Sequence, residues 1–320
     1  MVPLITLEEH YHSKAAQEAN GEKDPILQWP QPLIQKLHSL GDERLRDMDR
    51  GAVSLQVISH TPTQGSLSPA GCRAANDELS AGRLASPARL AAFAALPMAQ
   101  PAAAAAELAR CVHELGFVGA LIDNHCGGRS YDDEAFWPVF AAAQRLGVPL
   151  YLHPDFPPDD LAPRYRGNFA ESAAVNMSVS GFGWHAECAL HVLRLFAAGV
   201  WDRFPRLQLI VGHMGEMLPF QLERIVWLSA RWGKRERGLR QVWDENLIVT
   251  TSGMFSLAPM ACLLRSTRID RILYSVDYPF SKNEEGLRFM EELEKSGLVT
   301  REEFEMIAYK NAERVLKVKV

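Results

Sequence analysis

Val148-Pro149-Leu150-Tyr151-Leu152-His153-Pro154 is a short apolar run that stops on a histidine and then a proline. A run of this length, closed by a residue that cannot donate to a ladder, reads as a buried strand. Working outward, the same grammar recurs at Leu4–Glu9, Val53–Ser59, Leu90–Leu96, Val118–Ile122, Leu207–Gly212, Leu247–Thr251 and Arg271–Asp277. Between these runs lie stretches with helical spacing of apolar residues, among them Pro101–Leu115, Asp133–Leu146 and Arg301–Leu316. The alanine-rich piece after Gln100 is an ordinary helix start, because proline suits a first turn and alanine is the best helix former. Parallel strands need a crossover, usually a helix, so this alternation predicts an α/β fold: a closed (β/α)8 TIM barrel. A doubly wound open sheet is the alternative, but no GxGxxG follows an early strand. One barrel commonly fills 320 residues, so the expectation is a single domain over 1–320.

Three segments break the pattern: Ala16–Ser39, Asp155–Ser180 and the Arg- and Gly-rich Gly233–Asp244. Long insertions in a compact domain are usually lids or binding loops. The first two follow strands one and five, which puts them over the carboxyl ends of the strands, where barrel active sites lie.

Composition narrows the partners. A net charge of −5 with both signs interspersed argues against a nucleic-acid surface, which needs a basic patch to neutralise phosphates. No apolar run approaches the roughly 20 residues that cross a bilayer, and the first residues, MVPLITLEEHYH, lack a signal pattern. The five cysteines, Cys72, Cys111, Cys126, Cys188 and Cys262, are scattered without a CxxC pair. They read as reduced thiols, and the expected location is cytoplasmic.

The polar residues that carry chemistry stand where apolar strands end. Strand one runs Leu4-Ile5-Thr6-Leu7-Glu8-Glu9-His10, and alternation lets Glu8 and His10 converge on one ion while Glu9 points away. The register His10-x-His12 competes and would offer two imidazoles. Strand five ends on His153, strand six on Gly212-His213-Met214-Gly215-Glu216, and strand eight on Val276-Asp277-Tyr278-Pro279-Phe280. A lone histidine after a strand is more often a satisfied structural residue. Four polar endings at one barrel face outweigh that bland reading.

These endings resemble the amidohydrolase superfamily, and within it the aminocarboxymuconate-semialdehyde-decarboxylase-like branch with its 2,3- and 2,6-dihydroxybenzoate (gamma-resorcylate) decarboxylases. The motifs are LEEH at Leu7–His10, ELGFVGALI at Glu114–Ile122, YLHP at Tyr151–Pro154, GVWDRFPRLQLIVGHMGE at Gly199–Glu216, TTSG at Thr250–Gly253 and SVDYPF at Ser275–Phe280. The resemblance implies that Glu8, His10, His153 and Asp277 bind one divalent metal, with His213 a catalytic histidine and Glu216 its polar partner. It further implies non-oxidative decarboxylation of an o-hydroxybenzoate, with Asp277 giving a proton to the ring carbon that bears the carboxylate. Relatives imply a homodimer or homotetramer.

Two carboxylates and two imidazoles without thiolate suit Zn²⁺, Mn²⁺ or Mg²⁺, and no organic cofactor is expected. The runner-up is metal-dependent hydrolysis of a lactone, ester or amide on the same barrel; a binding protein that lost its metal would need replaced ligands. Weaker substrate-binding candidates are Phe280, Arg224, His60 and His125. Phe182 and Trp184 could wall a pocket or sit in the core. Glu187 and His191, spaced i, i+4, should pair with each other. His38, His113 and His185 have no supporting context.

Overall fold

All the apolar runs become parallel strands whose side chains alternate between a barrel interior and a helix-facing exterior. The computed structural model describes residues 2–63, 65–158 and 160–320. In it β1 is Ile5–Tyr11, β2 Leu55–His60, β3 the two segments Leu90–Ala92 and Ala94–Ala95, β4 Ala120–Asp123 and β5 Leu150–His153. The remaining strands are β6 Leu209–Val211, β7 Leu247–Thr250 and β8 Ile272–Leu273. Each strand pairs in parallel with its neighbour in sequence. The expected strand Leu90–Leu96 is interrupted at Phe93, yet Phe93 N–H donates to Ile58 and Ala94 N–H to Gly119, so the wall continues across the break. The ring closes where Glu9 bridges Tyr278 and His10 N–H donates to the Tyr278 carbonyl at 2.6 Å.

Period-two alternation fills the interior. Ile5, Leu7, Leu55, Val57, Ala91, Phe93, Leu121, Tyr151, Ile210, Ile248 and Leu273 form one buried cluster, with Ala312 and Leu316 of the final helix packed against it. The other strand face, including Ile58, Leu90, Ala120, Leu152, Val211 and Val249, packs on the surrounding helices in the larger core.

Along β1 the alternation is broken on purpose. Thr6 pairs with Gln56 and the next partners are Glu9 and Ile58, so two residues of β1, Leu7 and Glu8, oppose the single Val57. Such a bulge re-aims side chains and is common beside active sites. Its loose amides are met by one hydroxyl: Leu7 N–H and Glu8 N–H both donate to Ser275 Oγ, at 3.0 and 2.8 Å. The bulge turns Glu8 inward above Leu7, and Glu9 outward toward the β8 end.

The first two insertions do rise over this end. Residues of the first carry the helices Lys14–Asn20 and Gln31–His38, and the second carries Ala162–Tyr165 and Glu171–Ser178. The third ends in the helix Leu239–Glu245 and contributes nothing to the cavity above the strands.

All five cysteines are free; Cys72, Cys111 and Cys188 are buried, whereas Cys126 and Cys262 are partly exposed. Burial pushes the Cys72 thiol up to about 12. Thiolate is the reactive form. A neutral aromatic-disulfide reagent should therefore titrate Cys126 and Cys262 in the native protein and all five thiols after denaturation, measured by absorbance.

Candidate metal centre

Glu8, His10, His153 and Asp277 each present a donor atom, and these atoms lie within 4.8 Å of one another. His10 Nε2 is 3.3 Å from Asp277 Oδ1, and His153 Nε2 is 3.3 Å from Glu8 Oε1. Two donors about 2.1 Å from one ion stand about 3 Å apart, so these gaps are those of ligands sharing a centre. Glu8 Oε1 and His10 Nε2 are buried and have no hydrogen-bond partner. Buried polar atoms are almost always paired, and a cation between the two supplies the missing partner. His153 Nδ1 donates to the Pro154 carbonyl at 2.6 Å, which leaves its Nε2 lone pair facing the cluster. The residues present fit one divalent ion.

Electrostatics agree. Burial alone would raise the Glu8 carboxyl, but His213, His153 and His10 around it hold it well below the usual carboxylate range. Burial would lower His213, yet Glu216, Glu8 and Asp277 together push it up to about 10. The cluster attracts positive charge, and a divalent cation meets the same demand while its imidazole ligands stay neutral.

A second group of donors, His185, His213 and Glu216, is equally close-packed. There the atoms satisfy each other. His213 Nδ1 donates to Glu216 Oε1 at 2.8 Å, and His185 Nδ1 to Glu216 Oε2 at 2.7 Å. That group supports a side chain and is not shaped to hold an ion. His213 turns its Nε2 toward the first cluster, 3.6 Å from Glu8 Oε1 and 3.9 Å from Asp277 Oδ2.

The backbone that carries His213 is strained. His213, Met214, Gly215, Glu216 and Met217 run consecutively at φ of 47°, 57°, 87°, 53° and 65°. Left-handed backbone costs a non-glycine residue on the order of 1 kcal/mol, and such outliers gather at functional sites. Here the turn sends the His213 and Glu216 side chains to meet each other at the end of β6. Asp277, at φ 71°, is held by Glu9, which accepts from Val276 N–H and Tyr278 N–H at 3.0 and 2.9 Å.

Glu8 is fixed from two further sides. Tyr151 Oη donates to Glu8 Oε2 and lies 2.8 Å from Thr250 Oγ1. Gly212 leaves room for the carboxylate, since a Cβ there would stand 2.7 Å from Glu8 Oε2. Tyr151 was open to discovery, because it precedes His153 by two on the same strand face; His185 offered no comparable signal.

Above the cluster a cavity of about 340 Å³ is walled by Ile26, Trp29, Phe156, Val175, Val179, Trp184 and Phe280, with His153, His213 and Asp277 at its floor. Phe280 stacks edge-on with Trp29 at 4.9 Å and lies 5.6 Å from the His10 ring. Trp184 is a wall residue, whereas Phe182 is half-exposed outside it.

Several expectations need correction. His12 borders the cavity but joins no candidate metal cluster among the described residues; its ring bonds to Thr61 Oγ1 and Asp24 Oδ2, both at 2.8 Å, which favours the register of Glu8 and His10. His60 is structural: its Nδ1 donates to the Thr61 carbonyl and its Nε2 accepts from Ser13 N–H. Burial, with His12 beside it, pushes His60 down to about 3. His125 donates to the Phe156 carbonyl and faces neighbouring cavities. Arg224 is exposed on the helix Leu218–Ser229 and is not among the residues lining the cavity. Glu187 and His191 do not pair: Glu187 lies 3.6 Å from Arg164, and His191 bonds to the Asn124 carbonyl and Tyr131 N–H.

Two variants test the geometry. Gly212→Ala should push the Glu8 carboxylate aside and weaken metal binding about 10- to 100-fold while the fold survives, measured by metal titration and circular dichroism. Met217 is partly exposed at φ 65°, so Met217→Gly should raise stability by up to about 1 kcal/mol in thermal denaturation. A lower melting temperature would show that the turn carries no strain there.

Residues 22–318 match the amidohydrolase family. The chain is similar to the decarboxylase orsB of Emericella nidulans, with 54% identity over 99% of this chain and 97% of that one. It is also similar to the gamma-resorcylate decarboxylase of a Polaromonas species, with 36% identity over 86% of this chain and 88% of that one. Among solved structures it resembles a dihydroxybenzoic acid decarboxylase from Polaromonas sp. JS666 with bound manganese and the inhibitor 2-nitroresorcinol. That likeness has a TM-score of 0.86 at 32% identity and covers 99% of this chain and 97% of the other. A family match across nearly the whole length, on a barrel whose strand ends gather two carboxylates and two imidazoles, means that this chain belongs to the amidohydrolase family.

Proposed function

We propose that this protein is a metal-dependent carboxy-lyase that removes carbon dioxide, without oxidation, from a small hydroxylated aromatic acid. The observation that carries the reading is the cluster of Glu8, His10, His153 and Asp277 at the floor of an aromatic-walled cavity. The decarboxylase names and the bound manganese of its relatives support it. The cavity volume falls in the range of about 300–1,000 Å³ usual for small-molecule sites.

The four ligands would hold one divalent ion, Zn²⁺, Mn²⁺ or Mg²⁺. Bound there, it supplies Lewis acidity and a template for the carboxylate and adjacent phenolic oxygen of an o-hydroxybenzoate. The protein's own groups then move the protons. Asp277 delivers a proton to the ring carbon that bears the carboxylate, the carbon–carbon bond breaks with its electron pair left on the ring, and carbon dioxide leaves. His213, aimed at this floor through its bond to Glu216, helps manage the phenolic proton. Phe280 and Trp29 pack the substrate ring between apolar faces.

We read residues 1–320 as one domain, because the first and last strands close the same barrel. A cytoplasmic location is supported by the five unpaired cysteines; no described helix is long and apolar enough to cross a membrane. Self-association as a homodimer or homotetramer is supported by one helix face, where Phe220 is 86% and Trp227 65% exposed on either side of Arg224.

A panel of hydroxybenzoates scored for carbon dioxide with different divalent ions tests the reaction. In deuterated water the phenolic product should carry one deuterium where the carboxylate stood. His213→Ala should keep the metal and lose about 10²-fold or more in rate. Asp277→Asn, with its metal content measured alongside, should lose turnover and labelling together. A product that contains solvent oxygen, with no carbon dioxide released, would replace this reading by the hydrolase.

A further inference from the structure

The helix Gly183–Ala197 starts directly after the second insertion, and His185 stands in its first turn. Its two ring nitrogens reach two different parts of the site. Nδ1 is 2.7 Å from Glu216 Oε2, and Nε2 is 3.1 Å from the Ser180 carbonyl. Ser180 lines the cavity together with Val175, Asn176 and Val179 of the same insertion. Glu216 is fully buried, and among the described residues its carboxylate oxygens bond to two histidines, His213 on Oε1 and His185 on Oε2. The two rings stand 4.7 Å apart, edge to face.

A carboxylate gripped on one oxygen alone can rotate about its last bonds. Gripped on both, it cannot. A buried oxygen stripped of its donor also seeks another, which pulls the group away from its place. The direction of His213 Nε2 thus depends on a residue that touches neither substrate nor metal ligand. The same ring ties down the segment that roofs the cavity. We propose that His185 is a positioning residue with two separable tasks: its Nδ1 fixes Glu216 and so aims His213, and its Nε2 seats the roof through Ser180.

The two tasks can be pulled apart with amide side chains. In His185→Asn the amide nitrogen falls near the Nδ1 position, and in His185→Gln near the Nε2 position; His185→Ala supplies neither. Misplacing a reacting group by a fraction of its length costs about tenfold or more in rate. The kinetic arm rests on the decarboxylase reading. There, Ala and Gln should lose about tenfold or more in kcat, and Asn should recover much of that loss. KM should rise in Ala and Asn, where the roof is untied, and stay near wild type in Gln.

A second arm needs no turnover. In zinc-loaded protein the hydrogen-bonded His213 Nδ1–H should give a downfield proton resonance, assigned by its disappearance in His213→Ala. It should persist in the Asn variant of His185 and shift or vanish in Gln and Ala. An unchanged resonance in His185→Ala would overturn the proposal. So would equal losses of kcat in all three variants accompanied by a lower melting temperature, the mark of a merely structural residue. If wild type releases carbon dioxide from no compound, the decarboxylase reading fails, while the resonance still decides the role of His185.

Discussion

A carboxylate buried at the mouth of a barrel must be met by positive charge or by N–H and O–H donors, because an unpaired buried ion costs several kcal/mol. Glu8 is that carboxylate, fully buried, and much of the surrounding structure answers to it. The bulge in β1 turns it inward, and Ser275 caps the two amides the bulge leaves loose. Tyr151 donates to one oxygen, and Gly212 is small so that the carboxylate fits. The other oxygen is left without a hydrogen bond next to His10, His153 and His213. A protein that needed only stability would fill that place with an apolar side chain, since buried ion clusters rarely outdo hydrophobic packing. The arrangement makes sense as a ligand field.

Around that field the backbone takes conformations that ordinary strands and helices avoid. The left-handed run from His213 to Met217 and the left-handed Asp277 lie beyond the ends of β6 and β8, with β7 between them in the same wall. Both are overdetermined by their neighbours: Gly215 N–H bonds back to the Gly212 carbonyl at 2.7 Å, and Glu9 clamps the segment on either side of Asp277. Strain survives where several independent contacts enforce it. In this barrel those contacts also orient the groups assigned to proton transfer, so rigidity and chemistry share the same bonds.

The cavity walls come from elsewhere. Trp29 is supplied by the first insertion, Phe156, Val175 and Val179 by the second, and Phe280 by the β8 end, while the barrel supplies only the floor. The candidate ligands sit on or just beyond strands, whose positions are held to the core by continuous ladders. Most of the apolar walls sit on the inserted segments, which can vary without disturbing the ladders. His185 joins the two layers, with one nitrogen on a floor group and the other on the roof.

The eight apolar runs separated by helical stretches determined the barrel, because a period of two and a need for crossovers leave few other closed solutions. The strand-ending residues Glu8, His10, His153, His213 and Asp277 could be picked out for the same reason: a strand end in such a barrel points to one face. Choosing between the registers of β1 was beyond alternation alone. Counted from Ile5 and Leu7, a strict period would send Glu9 inward; the bulge that reverses this depends on a pairing with β2 and a hydroxyl more than 260 residues away. The fates of His60, His125 and Arg224 were equally hidden, since the two histidines end or follow a strand as the candidate ligands do and Arg224 lies on the helix after β6. Burial and partners, Ser13 for one and a carbonyl of the second insertion for another, sorted them. His185 carries no pattern in the chain at all. Its place was decided only when the turn after β6 brought Glu216 beneath it, because a hydrogen bond across 31 residues has no period to read.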